Sequence, residues 1–213
     1  MDGHEWAACR DPDVLLKWLQ RSKRCQVSPR KLRLFSCACC RRLWRKKEAV
    51  ARAAIELAEA FADGLAKEQA VEDCRRATNG DGAVAWALWL PSMTYLDVTR
   101  GESAARSAAG YARMGLRTEA AEAAAQCDLL RDIVLHPFEP PSSIERTWLG
   151  ANDAAALELA ETIYQERDFR ALPVLADALK EAGCEDKRLL AHCRSKGPHV
   201  RGCWALDLLL GKN

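Results

Sequence analysis

Two stretches near the start of the chain, "RDPDVLLKWLQRS" (10–22) and "VSPRKLRLFSCACCRRLWRKK" (27–47), open in the same way. A side chain with a short oxygen arm, Asp11 or Ser28, is followed at once by Pro12 or Pro29, and then by apolar residues at helical spacing. The oxygen accepts hydrogen bonds from the first unpaired amides of a helix, and proline's fixed φ suits its first turn. The pattern predicts helices starting at 12 and 29. Val14, Leu15, Trp18 and Leu19 form the apolar cluster of the first, and Leu32, Ser36, Cys39, Cys40 and Leu43 share one arc of the second. "EAVARAAIELAEAFADG" (48–64) extends the theme, with Val50, Ala54, Leu57, Ala58 and Phe61 on one stripe and Gly64 as a left-handed stop.

The same 3.6-residue period predicts further helices near 67–77, 83–90, 102–114, 118–135, 172–182, 186–195 and 199–210, and one from Asn152 through Arg167. No run rich in Val, Ile and Thr alternates strictly enough for a strand. The expected fold is therefore all-α, a compact bundle or array of about nine to ten helices. The last helix, in "VRGCWALDLLLG" (200–211), is apolar all round and should be buried. A single domain over 1–213 is expected. Its one candidate sub-boundary is the proline-rich loop 136–151, within "HPFEPPSSIERTWLGAN" (136–152).

Ten cysteines in a chain of 213 residues, with no basic-then-apolar leader at the N-terminus, point to reduced thiols and a cytoplasmic setting. No segment approaches the roughly 18 apolar residues of a membrane span, so a membrane partner is not expected. The net charge of +2 hides an asymmetry. Val14 to Lys47 holds twelve Lys/Arg and no acid, residues 1–13 carry four acids against one base, and the remainder is net acidic. Within that basic segment, 21–47, Arg30, Lys31, Arg41, Arg42 and Arg45 point away from the apolar arc and form a candidate phosphate-binding face. The alternative is that acidic helices neutralise them. Cys37 and Cys40 form a C-x-x-C, but two turns inside a helix and beside its apolar arc, where packing rather than redox chemistry is expected.

The C-terminal stretch "AHCRSKGPHVRGCW" (191–204) concentrates chemistry. With Cys184 it supplies Cys184, His192, Cys193, His199 and Cys203, enough ligand types for zinc, although without the paired C-x-x-C spacing that marks a zinc motif. Gly197–Pro198 reads as a helix stop and restart, and Cys193 falls at a core position. His199 and Asp207 stand out as polar residues in a buried setting. The chain lacks G-x-x-x-x-G-K-[ST], G-x-G-x-x-G, H-E-x-x-H and G-x-S-x-G, so the common nucleotide, zinc-protease and hydrolase signatures are excluded.

"DPDVLLKWL", "RKLRLFSCACCRRLW", "AQCDLLRDI" with "PFEPP", and "LPVLADALKEAGCEDKRLLAHCRSKGPHVRGCWALDLLLGK" together resemble a large, uncharacterised, paralogous protein family of planctomycete bacteria. The resemblance spans nearly the whole chain and is most specific at the C-terminus. It implies a self-contained bacterial domain and transfers no activity, cofactor or site residue. The expectation is a non-catalytic helical module that meets a protein partner. The alternatives are a nucleic-acid or anion binder through 21–47, and a zinc-stabilised domain or Cys/His enzyme built on the C-terminal cluster.

Overall fold

The structure, a computed structural model, describes residues 1–22, 25, 27–42, 49–77, 119–139, 142, 145, 148 and 154–212. Among these residues there are ten α-helices and no strand. They are α1 (Gly3–Ala8), α2 (Pro12–Arg21), α3 (Pro29–Arg42), α4 (Ala49–Ala62), α5 (Glu68–Ala77), α6 (Glu119–Ile133), α7 (Ala155–Glu166), α8 (Leu172–Glu181), α9 (Lys187–Cys193) and α10 (Trp204–Leu209). The helices expected near 83–90 and 102–114, and Asn152 as a cap, lie outside the described residues. The chain divides into two compact units, Met1–Arg131 and Asp132–Asn213. The division falls inside α6, shortly before the proline-rich segment.

In the first unit the start signals act as read. The Asp11 carboxylate accepts the Asp13 amide at 2.9 Å with Pro12 opening α2, and the Ser28 hydroxyl accepts the Lys31 amide at 3.3 Å at the start of α3. Leu15, Leu16 and Leu19 are buried on α2, whereas Val14 is 45% exposed, on the far side of the arc those three define. Trp6 of α1 is buried and packs against Trp18, ring centroids 5.7 Å apart. α3 packs on α4, and α4 on α5, with Cys37, Ile55 and Ala58 forming a small apolar core against which Cys40 lies. α4 ends at Ala62, and Gly64 takes φ +73°, which only glycine adopts without strain.

This unit buries carboxylates, and each meets a guanidinium. Glu59 of α4 takes a bidentate pair from Arg41 of α3, at 2.6 and 2.9 Å. Glu122 of α6 receives Arg42 Nε on both oxygens at 3.0 Å and the Gln126 amide at 3.2 Å. Asp63 receives Arg30 Nε at 2.9 Å. A carboxylate removed from water is tolerated when a charged donor replaces the lost hydration, and the planar guanidinium does this with two parallel N–H groups.

The second unit is built around a continuous apolar core. α8 supplies Leu172, Leu175, Ala176 and Leu179, all fully buried, at i, i+3, i+4 and i+7. Ala160, Ile163 and Tyr164 of α7, Leu189, Leu190 and Cys193 of α9, and Trp204, Ala205, Leu206 and Leu209 of α10 close around them. Leu172→Ala or Leu175→Ala at such a site costs about 3 kcal/mol, since lost burial and the cavity left behind add together. α10 is buried, as its all-round apolar pattern predicts. No helix among the described residues is long and apolar enough to cross a membrane.

Candidate metal centre

The site is built by three segments of the second unit. Asp132 stands near the end of α6 in "LLRDIVL", among the buried Leu129, Leu130, Ile133 and Val134. His192 occupies the last turn of α9, a helix started by the Asp186 carboxylate, which accepts the Arg188 and Leu189 amides at 3.0 Å each. The third segment is the loop from Arg194 to Cys203. The sequence predicts a helix from 199, with His199 and Cys203 on one helical face. Helix α10 instead starts at Trp204, and His199 lies in an irregular segment. Two contacts shape the segment before it, and the Gly202 turn is the one that interrupts a helix. The Val200 amide is taken by Asp132 Oδ2 at 2.9 Å, and Gly202 at φ +92° closes a tight turn in which Cys203 N–H meets the Val200 carbonyl at 2.9 Å. The turn folds Cys203 back onto His192, eleven residues earlier.

Asp132 Oδ1 lies 2.8 Å from His199 Nδ1 and 3.2 Å from His192 Nε2. His192 Nε2 lies 3.2 Å from Cys203 Sγ. One ligand atom from each of Asp132, His192, His199 and Cys203 falls within 4.8 Å of all the others. The side chains of Asp132, His199 and His192 are 3, 7 and 16% exposed, and Cys203 is fully buried. The imidazoles meet edge-on, with centroids 4.9 Å apart. Trp204 Nε1–H donates to His192 Nδ1 at 3.1 Å. An indole nitrogen only donates, so His192 Nδ1 is the accepting nitrogen and Nε2 carries the ring proton toward Asp132 and Cys203.

The electrostatics follow from that enclosure. Burial alone would raise the Asp132 carboxyl, but hydrogen bonds from His192 and His199, with their charge, outweigh it and hold the group below the usual carboxylate range. Burial would lower His199; the hydrogen bond and charge of Asp132 reverse that and raise it. The Cys203 thiol is pushed well up, first by burial and then by the Asp132 charge, which favours its protonated form.

Of the five candidate ligands read from the sequence, His192, His199 and Cys203 converge. Cys184 and Cys193 do not: both sit in the apolar core, and burial pushes the Cys193 thiol to about 12. The residue sequence reasoning missed is Asp132. Its signal was weak: in "CDLLRDIVL" it follows Arg131 and stands one turn after Asp128, so it reads as part of a charged helix face rather than as the isolated carboxylate that drew attention to Asp207. Asp207 is buried, but it is not one of the four converging residues. Of the candidate phosphate-binding residues, Arg30, Arg41 and Arg42 hold Asp63, Glu59 and Glu122; Lys31 lies beside Cys25, and Arg45 is outside the described residues. Cys37 is fully buried and the Cys40 thiol is pushed up to about 12 by burial, consistent with packing cysteines.

On its other side, His199 Nε2 lies 3.1 Å from Ser195 Oγ and 3.3 Å from the Ser195 carbonyl. Ser195 and His199 line a groove of about 640 Å³ whose walls include Arg167, Arg170 and Lys196. Compared with known proteins, the chain matches no protein-family model, no curated protein and no solved structure.

Proposed function

We propose that this chain is a non-catalytic helical module whose C-terminal unit is organised by a zinc-class ion. The ligands are Asp132 Oδ1, His192 Nε2, His199 Nδ1 and Cys203 Sγ. The observation that carries the reading is their convergence within 4.8 Å from three separate segments. The three short contacts of 2.8–3.2 Å stand slightly inside the roughly 3.3–3.6 Å that separates ligands around tetrahedral zinc, and the widest separation, within 4.8 Å, stands outside it, so admitting the ion takes small shifts in both directions. Mixed nitrogen, oxygen and sulfur donors suit zinc better than magnesium or calcium. Four protein ligands complete the coordination, which is the pattern of structural rather than catalytic zinc. A cation on Cys203 would also displace its otherwise firmly held proton. His199 supports this geometry: ligated through Nδ1, it carries its proton on Nε2, facing the Ser195 carbonyl as an outer acceptor. Because Arg30, Arg41 and Arg42 already hold acids, the module's partner is read as a protein rather than a nucleic acid.

The test is elemental analysis of the purified chain after zinc loading and desalting. One zinc per chain is expected, with Cys203→Ser and Asp132→Ala retaining far less. Cobalt substitution should give the sulfur-to-cobalt absorption of a thiolate ligand. A wild-type chain that stays metal-free, with a melting temperature indifferent to zinc and chelator, sinks the proposal. The Ser195–His199–Asp132 series of hydrogen bonds also has the order of a nucleophile, base and orienting acid. Covalent labelling of Ser195 by a fluorophosphonate would replace the metal reading with a hydrolytic one.

A further inference from the structure

The contact between Trp204 and His192 conflicts with a bound metal in an informative way. An imidazole that ligates through Nε2 carries its remaining proton on Nδ1, and metal-bound histidines ordinarily give that proton to a carboxylate, carbonyl or water. Here the group facing Nδ1 is the Trp204 indole N–H, 3.1 Å away, itself a donor with no accepting atom. Two N–H groups cannot face each other at that distance. The same imidazole also stacks on the indole, with centroids 4.7 Å apart and planes tilted by 51°. Trp204 is the first residue of α10, is 6% exposed, and has the Arg188 guanidinium 5.9 Å over its ring.

We infer that metal uptake at this site is coupled to Trp204: ligation of His192 breaks the indole–imidazole hydrogen bond and moves the indole, so that the first turn of α10 reports whether the ion is bound. The inference rests on the metal reading above and adds a regulatory consequence to it. In the metal-free form the Trp204 N–H, the His192 ring, Asp132 and the Val200 amide form a closed hydrogen-bonded series that competes with the ion. In the metal-bound form that series is open at the indole. The site therefore has two arrangements of nearby side chains, with the buried C-terminal helix attached to the group that differs between them.

Two measurements test it. Zinc affinity is determined by chelator competition for the wild type and for Trp204→Phe, which keeps an aromatic ring and removes the N–H donor. The variant should bind about tenfold more tightly, because an unpaired buried donor and its conflict with Nδ1–H are gone. In the wild type, the assigned Trp204 indole ¹H–¹⁵N cross-peak should move on adding one equivalent of zinc, a readout that does not depend on the variant folding. If zinc binds one to one while the cross-peak stays in place and Trp204→Phe binds equally or more weakly, the coupling is wrong and His192 lies outside the ligand set. If neither protein takes up zinc, the metal reading itself falls and the coupling with it.

Discussion

Both units bury carboxylates, and they neutralise them with different chemistry. In the first unit Glu59 and Glu122 each face an arginine. In the second unit Asp132 faces two imidazoles and one backbone amide. A guanidinium is always protonated and offers only donors, so its pair with a carboxylate is fixed. An imidazole can exchange a proton for a metal ion, and a thiol beside it can do the same. The arginine pairs therefore lock α3 to α4 and α6, while the Asp132 group is the one of these arrangements that can trade its protons for a cation.

The largest test of that contrast is chelation. If the second unit holds zinc, a metal concentration a thousandfold above Kd stabilises the chain by about 4 kcal/mol. Adding a chelator should then lower the melting temperature of the wild type and leave Cys203→Ser unmoved, as read by calorimetry. Next comes Asp132→Ala, which strips the His192, His199 and Val200 donors of their acceptor. Urea unfolding in the presence of chelator should show a loss of about 3 kcal/mol. Smaller is Glu59→Gln, about 2 kcal/mol after allowing for the partial exposure of Arg41, and here the zinc content should be unchanged. A change in metal content in that variant would erase the distinction between the units.

The smallest effect is the pH response of the metal-free protein. His199 is raised in the folded state, so its contribution is fully present below the unfolded histidine value of about 6.5 and is lost as pH climbs through the raised value. Asp132 is lowered, so its contribution is present above about 3.9 and is lost as pH falls through the lowered value. Urea midpoints measured with chelator should thus decline from pH 6 to 8. With zinc bound the trend reverses, because protons no longer compete for the ligands at high pH.

Particular residues show how much of this was legible beforehand. Asp11–Pro12, Ser28–Pro29 and Gly64 mark helix ends through backbone chemistry that acts within a few residues, and the structure follows each of them; Gly197–Pro198 instead stands in the middle of the non-helical stretch between α9, which ends at Cys193, and α10, which starts at Trp204. His192, His199 and Cys203 were recognised as a group because they lie close along the chain. Cys184 and Cys193 carried the same ligand chemistry, and packing turned both into the core. Asp132, sixty residues upstream of His192, could be joined to them only by the fold. The predicted helix over 199–203 gives way to a turn, in which Gly202 takes a φ of +92° outside the helical range.

By itself, the sequence determined the helical class, the caps and stops, and the burial of the last helix, because each depends on side-chain periodicity or on hydrogen bonds between near neighbours. Only the tertiary structure decided which thiols and imidazoles meet, that their shared acceptor is Asp132, and that Arg30, Arg41 and Arg42 of α3 pair with Asp63, Glu59 and Glu122. Those outcomes are set by packing between segments far apart in the chain, where ligand identity is written locally but ligand distance is not.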